Sequence, residues 1–158
     1  MPIRTIDTPI TGQEPLGELH EPIQALAQFY RAFNSRDLAL MEENWEPSDD
    51  AAMDNPVGGI KRGWSEIRSV YERVFQSAGR VQVEFHDYTI HVVGDVFYAV
   101  GRERGTLEGN NTRLDLAIRT SRIFRRVDGR WRQVHHHGSI DDPQLLAAYL
   151  KAVGARAT

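Results

Sequence analysis

Apolar positions recur at helical spacing in three early stretches, and the spacing then switches to strand-like alternation. From Pro22, the residues Ile23, Leu26, Ala27, Tyr30 and Phe33 share one face of a helix, which Asn34-Ser35 ends. Proline suits the first helical position because its missing N–H would have no partner there. Asp37 can cap a second, short helix with Leu38, Met41 and Trp45 on one stripe, and Pro47 stops it. Ala51 to Met53 reads as a short strand ended by Asn55-Pro56 and the Gly58-Gly59 turn. A third helix begins near Gly63, places Ile67, Val70, Tyr71, Val74 and Phe75 together, and stops by Gly79.

Beyond Gly79 the spacing predicts strands. Val81 to Val93 turns at Gly94-Asp95 into Val96 to Gly105, and Gly109-Asn110-Asn111 leads to a long hairpin, Leu114 to Ile140. Its turn is Asp128-Gly129, a pair that tolerates the positive φ angles of a tight hairpin. Asp142-Pro143 opens a last short helix carrying Leu145, Leu146, Tyr149 and Val153. Residues 1–19 hold Pro2, Pro9, Pro15, Gly12 and Gly17 without a sustained period, which describes an extended arm, either mobile or laid across a partner subunit. The expected organisation is this arm, a single domain over residues 20–153 and a tail over 154–158. Helices followed by four long strands predict an α+β fold with the helices on one side of an antiparallel sheet.

Composition narrows the function. The 158 residues are 41% hydrophobic and 26% charged, an ordinary globular balance. The absence of cysteine excludes disulfides, thiolate metal sites and cysteine nucleophiles. A net charge of −3 without an aromatic-interleaved basic stripe argues against nucleic-acid binding. No apolar run approaches the roughly 20 residues that span a bilayer, and the N-terminus lacks a signal-peptide core, so no membrane partner and a cytoplasmic location are expected.

The stretches ALAQFYRAFNSRDL, DNPVGG, GWSEIRSVYERVF and above all DGRWRQVHHHGS, in this order, resemble the nuclear transport factor 2-like superfamily and more closely its SnoaL-like members, over Pro22 to Ile140. The resemblance implies an NTF2-like cone, N-terminal helices held in a strongly curved, mostly antiparallel sheet. It also implies a pocket for a small organic ligand. That superfamily includes isomerases, dehydratases, polyketide cyclases and non-catalytic association domains. Two readings follow: a cofactor-independent isomerase, cyclase or dehydratase, or a non-catalytic ligand-binding or oligomer-assembly module. No cofactor is expected.

Candidate chemistry centres on the hairpin. His135 and His137 share one strand face and His136 takes the other. The His-x-His pair lacks a third ligand in the following residues, so no metal is expected. The set Trp131, Gln133, His135, His137 and Ser139 falls on the outer face, against a second subunit in a homodimer or larger assembly. SDDAAMDNPVGG resembles ketosteroid isomerase, but the position of that family's proton-shuttling aspartate is Asn55, an amide that cannot take up a proton at neutral pH. The resemblance assigns the oxyanion-tyrosine position to Phe29, with Tyr30 adjacent. AVGR, TSRIFRRVDGRW and VHHHGS resemble the association domain of calcium/calmodulin-dependent kinase II, which implies that Arg102 and Arg122 project into the cone and bind a small carboxylate. Inward placement of Arg122 brings Thr120 and Phe124 with it, and Val134, His136 and Gly138 on the last strand. The competing expectation pairs the arginines with Glu84, Glu103 or Asp115. The candidate acid/base residues are therefore His136, Asp54 and His91. The candidate ligand-binding residues are Arg102, Arg122, Tyr30, Asn55, Phe29 and Thr120.

Overall fold

The computed structural model describes residues 1–154, so the expected tail lies, apart from Gly154, outside the described residues. In chain order the elements are α1 (Pro22–Ser35), α2 (Leu38–Asn44), β1 (Ala52–Asp54), β2 (Lys61–Arg62), α3 (Gly63–Gln76), β3 (Arg80–Val93), β4 (Val96–Gly109), β5 (Thr112–Val127), β6 (Arg130–Ser139) and α4 (Pro143–Ala152). The strands form one sheet in the order β2-β1-β6-β5-β4-β3. Its pairs are antiparallel except β1 with β6, which run parallel. Among the described residues no helix is long and apolar enough to cross a membrane.

Local chemistry sets the helix ends. The Gln24 side chain accepts from the Glu21 N–H at 3.0 Å and closes the start of α1. At its far end Arg36 turns left-handed, with φ 56. From there its guanidinium donates to the carbonyls of Phe75 (3.1 Å), Ser77 (3.2 Å) and Gly79 (2.7 Å), which ties α1 to the α3–β3 connection. Asp37 and Asp142 cap α2 and α4 by accepting from the backbone of Leu40 and Gln144, each at 2.9 Å.

The helices α1 and α3 bury Leu26, Phe29, Tyr30, Ile67 and Tyr71 against Phe85, Phe97, Phe124 and Trp131 of the concave sheet face. Each such side chain contributes about 1.5–3 kcal/mol by leaving water. The sheet coils tightly enough that β4 needs glycine at two inward positions. A Cβ on Gly105 would lie 1.8 Å from the Gln82 carbonyl oxygen, and one on Gly101 would lie 2.7 Å from Tyr88 Cβ. The pairing of β3 with β4 also shifts between His86 and Thr89, and Asp87 there has φ 48. Such bulges bend a strand and increase its twist.

A second bulge changes the reading of the hairpin. Ile123 pairs with His135 while Phe124 pairs with Gln133, leaving Val134 as an extra residue in β6. Side-chain alternation therefore changes phase at Val134. Before it Trp131 and Gln133 face inward and are buried; after it His136 and Gly138 do. The expectation that Trp131 and Gln133 lie on the outer face is thus corrected.

The N-terminal arm is also placed differently from expectation. Ile6 and Ile10 bridge to Tyr88 and Phe85 of β3 in the same chain, and Ile10 is buried. The arm covers the edge strand of its own sheet, where unpaired backbone groups would otherwise invite another chain.

Candidate functional site

A cavity of about 70 Å³ opens between the helices and the concave sheet face. Apolar side chains form most of its wall: Phe29 and Phe33 from α1, Val70 and Val74 from α3, Val81 and Val83 from β3. Asn55 and Pro56 close one side, with the Asn55 carbonyl oxygen of the side chain accepting from Val57 N at 3.0 Å. The polar groups reaching the cavity are few: Glu103, Arg122, His136, Tyr71 and Tyr149.

Glu103 and Arg122 face each other from adjacent strands, and both are buried. Arg122 Nη2 donates to Glu103 Oε1 at 2.6 Å, Nη1 donates to Gln133 Oε1 at 2.7 Å, and Nε donates to the Tyr30 hydroxyl at 3.3 Å. Tyr30 in turn donates to Glu103 Oε1 at 2.9 Å. The guanidinium carbon lies 3.5 Å from the centre of the Phe29 ring. Burial works against the charge on Arg122, but Tyr30 and Glu103 more than offset it, and its pKa is raised. Burial likewise pushes the Tyr30 phenol well up. Glu103 Oε1 is held by two donors, whereas Oε2 accepts no hydrogen bond among the described residues.

His136 pairs with Arg122 across β5 and β6, and its side chain shares the inward face. Its Nδ1 is buried with no hydrogen-bond partner among the described residues. Burial and the positive charge of Arg122 hold its pKa well below the ordinary histidine value, so the ring is neutral. Gly138 leaves room for it: a Cβ there would stand 3.2 Å from His136 Nε2 and 3.1 Å from Pro56 Cδ. Tyr149 reaches the cavity from α4, and burial together with Glu103 pushes its phenol up to about 12. Burial raises Tyr71 as well. Both phenols are therefore donors at neutral pH.

The model of the SnoaL-like domain family matches residues 23–143. The chain belongs to the SnoaL-like domain family. Among solved structures, a candidate dehydratase of the NTF2-like family from Streptomyces avermitilis is 20% identical, covers 80% of this chain and 97% of its own, and superposes with a TM-score of 0.69. A candidate calcium/calmodulin-dependent protein kinase type II association domain from Thiobacillus denitrificans is 25% identical, covering 77% of this chain and 95% of its own with a TM-score of 0.67. The F-box protein SKIP8 of Arabidopsis thaliana is 22% identical over 143 residues, 88% of this chain. The match spans 59% of that curated relative's length.

Within this SnoaL-like cone, four of the residues expected from the sequence come together at the cavity: Phe29, Asn55, Arg122 and His136. Tyr30 and Thr120 are buried behind its wall. Three others lie elsewhere. Arg102 is exposed, because Phe97, Ala99 and Glu103 take the inward phase of β4 and Tyr98 and Val100 the outward one. His91 is stacked on the exposed Tyr98 ring, 4.4 Å between centres, with Thr89 Oγ1 2.9 Å away. Asp54 joins the outer histidines: its Oδ2 lies 2.6 Å from His137 Nδ1 and its Oδ1 lies 3.6 Å from His135 Nε2. The first distance is a hydrogen bond, shorter than the roughly 3.4 Å between two tetrahedral zinc ligands. Among the described residues no group of three His, Cys, Asp or Glu side chains is disposed to hold a metal ion.

The carboxylate pocket expected between Arg102 and Arg122 is corrected accordingly. Arg102 is outside, and the charge of Arg122 is matched by Glu103. An incoming carboxylate would meet Glu103 rather than a free cation. Sequence reasoning named Glu103 only as a possible ion-pair partner and did not single out Tyr71, Tyr149 or Gln133. The signal available was that Glu103, the single acidic residue in the stretch Phe97–Gly105, shares a phase with Phe97 and Ala99.

The neutral His136 has a measurable consequence. Its pKa is lowered in the folded state, so the unfolded chain binds more protons below the ordinary histidine value of about 6.5. Folding stability contributed at neutral pH is then lost as pH falls, by up to about 2 kcal/mol between pH 7 and pH 5. Urea unfolding at the two pH values should show this difference shrinking in a His136→Leu protein. An unchanged difference would place His136 in contact with water.

Proposed function

We propose that the cone is an acid–base pocket for a small uncharged carbonyl compound, in the manner of a cofactor-independent isomerase or dehydratase. The observation that carries this is the juxtaposition, in one apolar cavity, of a carboxylate with a free Oε2 and a neutral imidazole with an unsatisfied nitrogen. A carboxylate and a neutral imidazole in one cavity supply a base and a hydrogen-bond donor. Glu103 Oε2 takes a proton from the carbon beside the carbonyl. The electron pair moves to the carbonyl oxygen, and a hydrogen bond from His136, Tyr71 or Tyr149 stabilises the resulting enolate. Return of the proton to another carbon is isomerisation; collapse of the enolate with cleavage of the next carbon's C–O bond, the departing oxygen taking the proton held by Glu103 and leaving as water, is dehydration.

Size favours a compact ligand. A cavity of about 70 Å³ is well below the roughly 150 Å³ that admits a benzene ring, so a ring enters only if Tyr149 and α4 shift. The test is deuterium exchange at the α-carbon of acetone, butanone and hydroxyacetone in D2O, followed by NMR. Saturable exchange above the buffer rate supports the reading. Absence of both exchange and binding across the panel, or binding by acetate in preference to acetone, would overturn it.

A second reading concerns assembly. Val93, Val96, Tyr98 and Val100 are 68, 37, 39 and 43% exposed on the outer face of the two strands farthest from β1. An apolar stripe of this kind is a common interaction surface, and we propose that it pairs with a second copy of the chain. Light scattering at micromolar concentration should give at least a dimer, and Val93→Lys with Val100→Lys should return it to a monomer. A monomeric unmodified protein removes this reading.

A further inference from the structure

Three phenols stand near the Arg122–Glu103 pair, and their oxygens are used differently. Tyr30 gives its proton to Glu103 Oε1 and is committed there. Tyr149 reaches the cavity from α4, and no protein group is hydrogen-bonded to its oxygen among the described residues. Tyr71, on α3, lines the same cavity. Its ring is packed among Phe75, Phe29 and Trp45, at 5.9, 6.3 and 6.3 Å between centres.

Trp45 is wholly enclosed, and its indole Nε1 is buried without an acceptor. A buried donor left unpaired costs free energy and calls for a reason. The polar group beside it is the Tyr71 hydroxyl. Burial raises that phenol, while the charge of Arg122 and the indole of Trp45 work against the rise. Indole and guanidinium are alike in having donors and no acceptor. Arg122 commits one N–H from each nitrogen, to Tyr30, Gln133 and Glu103, so Nη1 and Nη2 each keep a second. A hydroxyl oxygen flanked by two donor-only groups can offer them only its lone pairs. Its hydrogen is left for the cavity, since no protein acceptor is bonded to it among the described residues.

We propose that Tyr71 is a catalytic hydrogen-bond donor to the ligand's carbonyl oxygen, acting with His136, and that Trp45 is the residue that positions it. The assignment deepens the acid–base reading of this cavity and rests on it. A hydroxyl that donates becomes a better acceptor, most of all when it donates to an enolate. The Trp45 N–H then gains the partner it lacks. That gain is largest where charge on the ligand oxygen is largest, which is the condition for lowering a barrier rather than tightening binding alone. Tyr149 has no such donor behind it.

The indole N–H signals of the full-length, isotopically labelled protein test this directly. The other two tryptophans serve as internal controls, because Trp64 already donates to Glu42 Oε1 and Trp131 to the His20 carbonyl. Titration with acetone should move the Trp45 signal downfield saturably and leave the other two in place. Isobutene, which has the same shape without the oxygen, should not move it, and neither should acetone in a Tyr71→Phe protein. The same variant should lower α-carbon exchange by about 10²–10³. An unmoved Trp45 signal at saturating acetone, an equal shift with isobutene, or a shift that survives Tyr71→Phe would each overturn the proposal. Exchange undiminished in Tyr71→Phe would overturn it while leaving the acid–base reading in place. A Tyr71-dependent indole shift without any exchange would support the donor and remove the acid–base reading instead.

Discussion

An Arg122→Met protein is expected to lose about 3–5 kcal/mol of folding stability, the range seen when one partner of a buried ion pair is removed. Methionine fills much of the volume beside Phe29 but leaves Glu103 charged and almost without solvent. It also strips the donor from Gln133 Oε1, so the loss includes an unpaired amide. A domain of this size has about 5–15 kcal/mol to lose, so the variant should unfold at distinctly lower denaturant. Adding Glu103→Gln should restore a large part, because a neutral amide leaves no uncompensated charge and can still accept from Tyr30. Equilibrium urea unfolding of the two single variants and the double variant measures the coupling. A loss under about 1 kcal/mol in Arg122→Met, or strictly additive losses, would mean that water or another group replaces the pair.

The second large effect is on exchange chemistry. If Glu103 is the base, Glu103→Gln should lower the saturated rate of α-carbon exchange by about 10²–10⁴, and His136→Leu by about 10²–10³ through loss of the donor to the enolate oxygen. The two variants differ in a second readout. His136 is neutral throughout the neutral range, so the wild-type rate should be flat from about pH 6 to 8. A rate that falls as pH rises through that range would require a protonated imidazole and would contradict the assignment. Rates unchanged in His136→Leu would remove the histidine from the mechanism while leaving Glu103 in place.

Much of this architecture is legible in the chain because local chemistry and packing agree. Asp128 and Gly129 adopt φ 50 and 77, as a tight hairpin of matching twist requires. Pro22, Asp37 and Pro143 stand where helices begin. Arg122 and His136 could be placed inward by alternation, since β5 carries Ile118, Thr120 and Phe124 in one phase. The strand β4 defeats the same method. Its outward set, Tyr98 and Val100, is more apolar than its inward neighbours Ala99, Gly101 and Gly105, because the crowded interior accepts only small side chains there. Arg102 was misplaced for that reason, and Glu103 was left in the role of a partner. Asp54 lies on a strand of three residues, too short to reveal its own phase; its direction comes from pairing with β6, a contact 83 residues away in sequence.

The extra residue in β6 bears on how relatives of this chain should be compared. Val134 separates two stretches of regular pairing, and the strand on either side keeps its register with β5. A relative without that residue would pair Phe124 and Ile123 with consecutive strand positions and keep the same inward set. The expected trace of such a relative is a one-position gap opposite Val134. An ungapped comparison anchored on Trp131 would instead set His135 against the pocket histidine's column and assign the wrong member of the triplet. Inheritance of the site is therefore to be judged from the Arg122–His136 pairing and not from the string of three histidines.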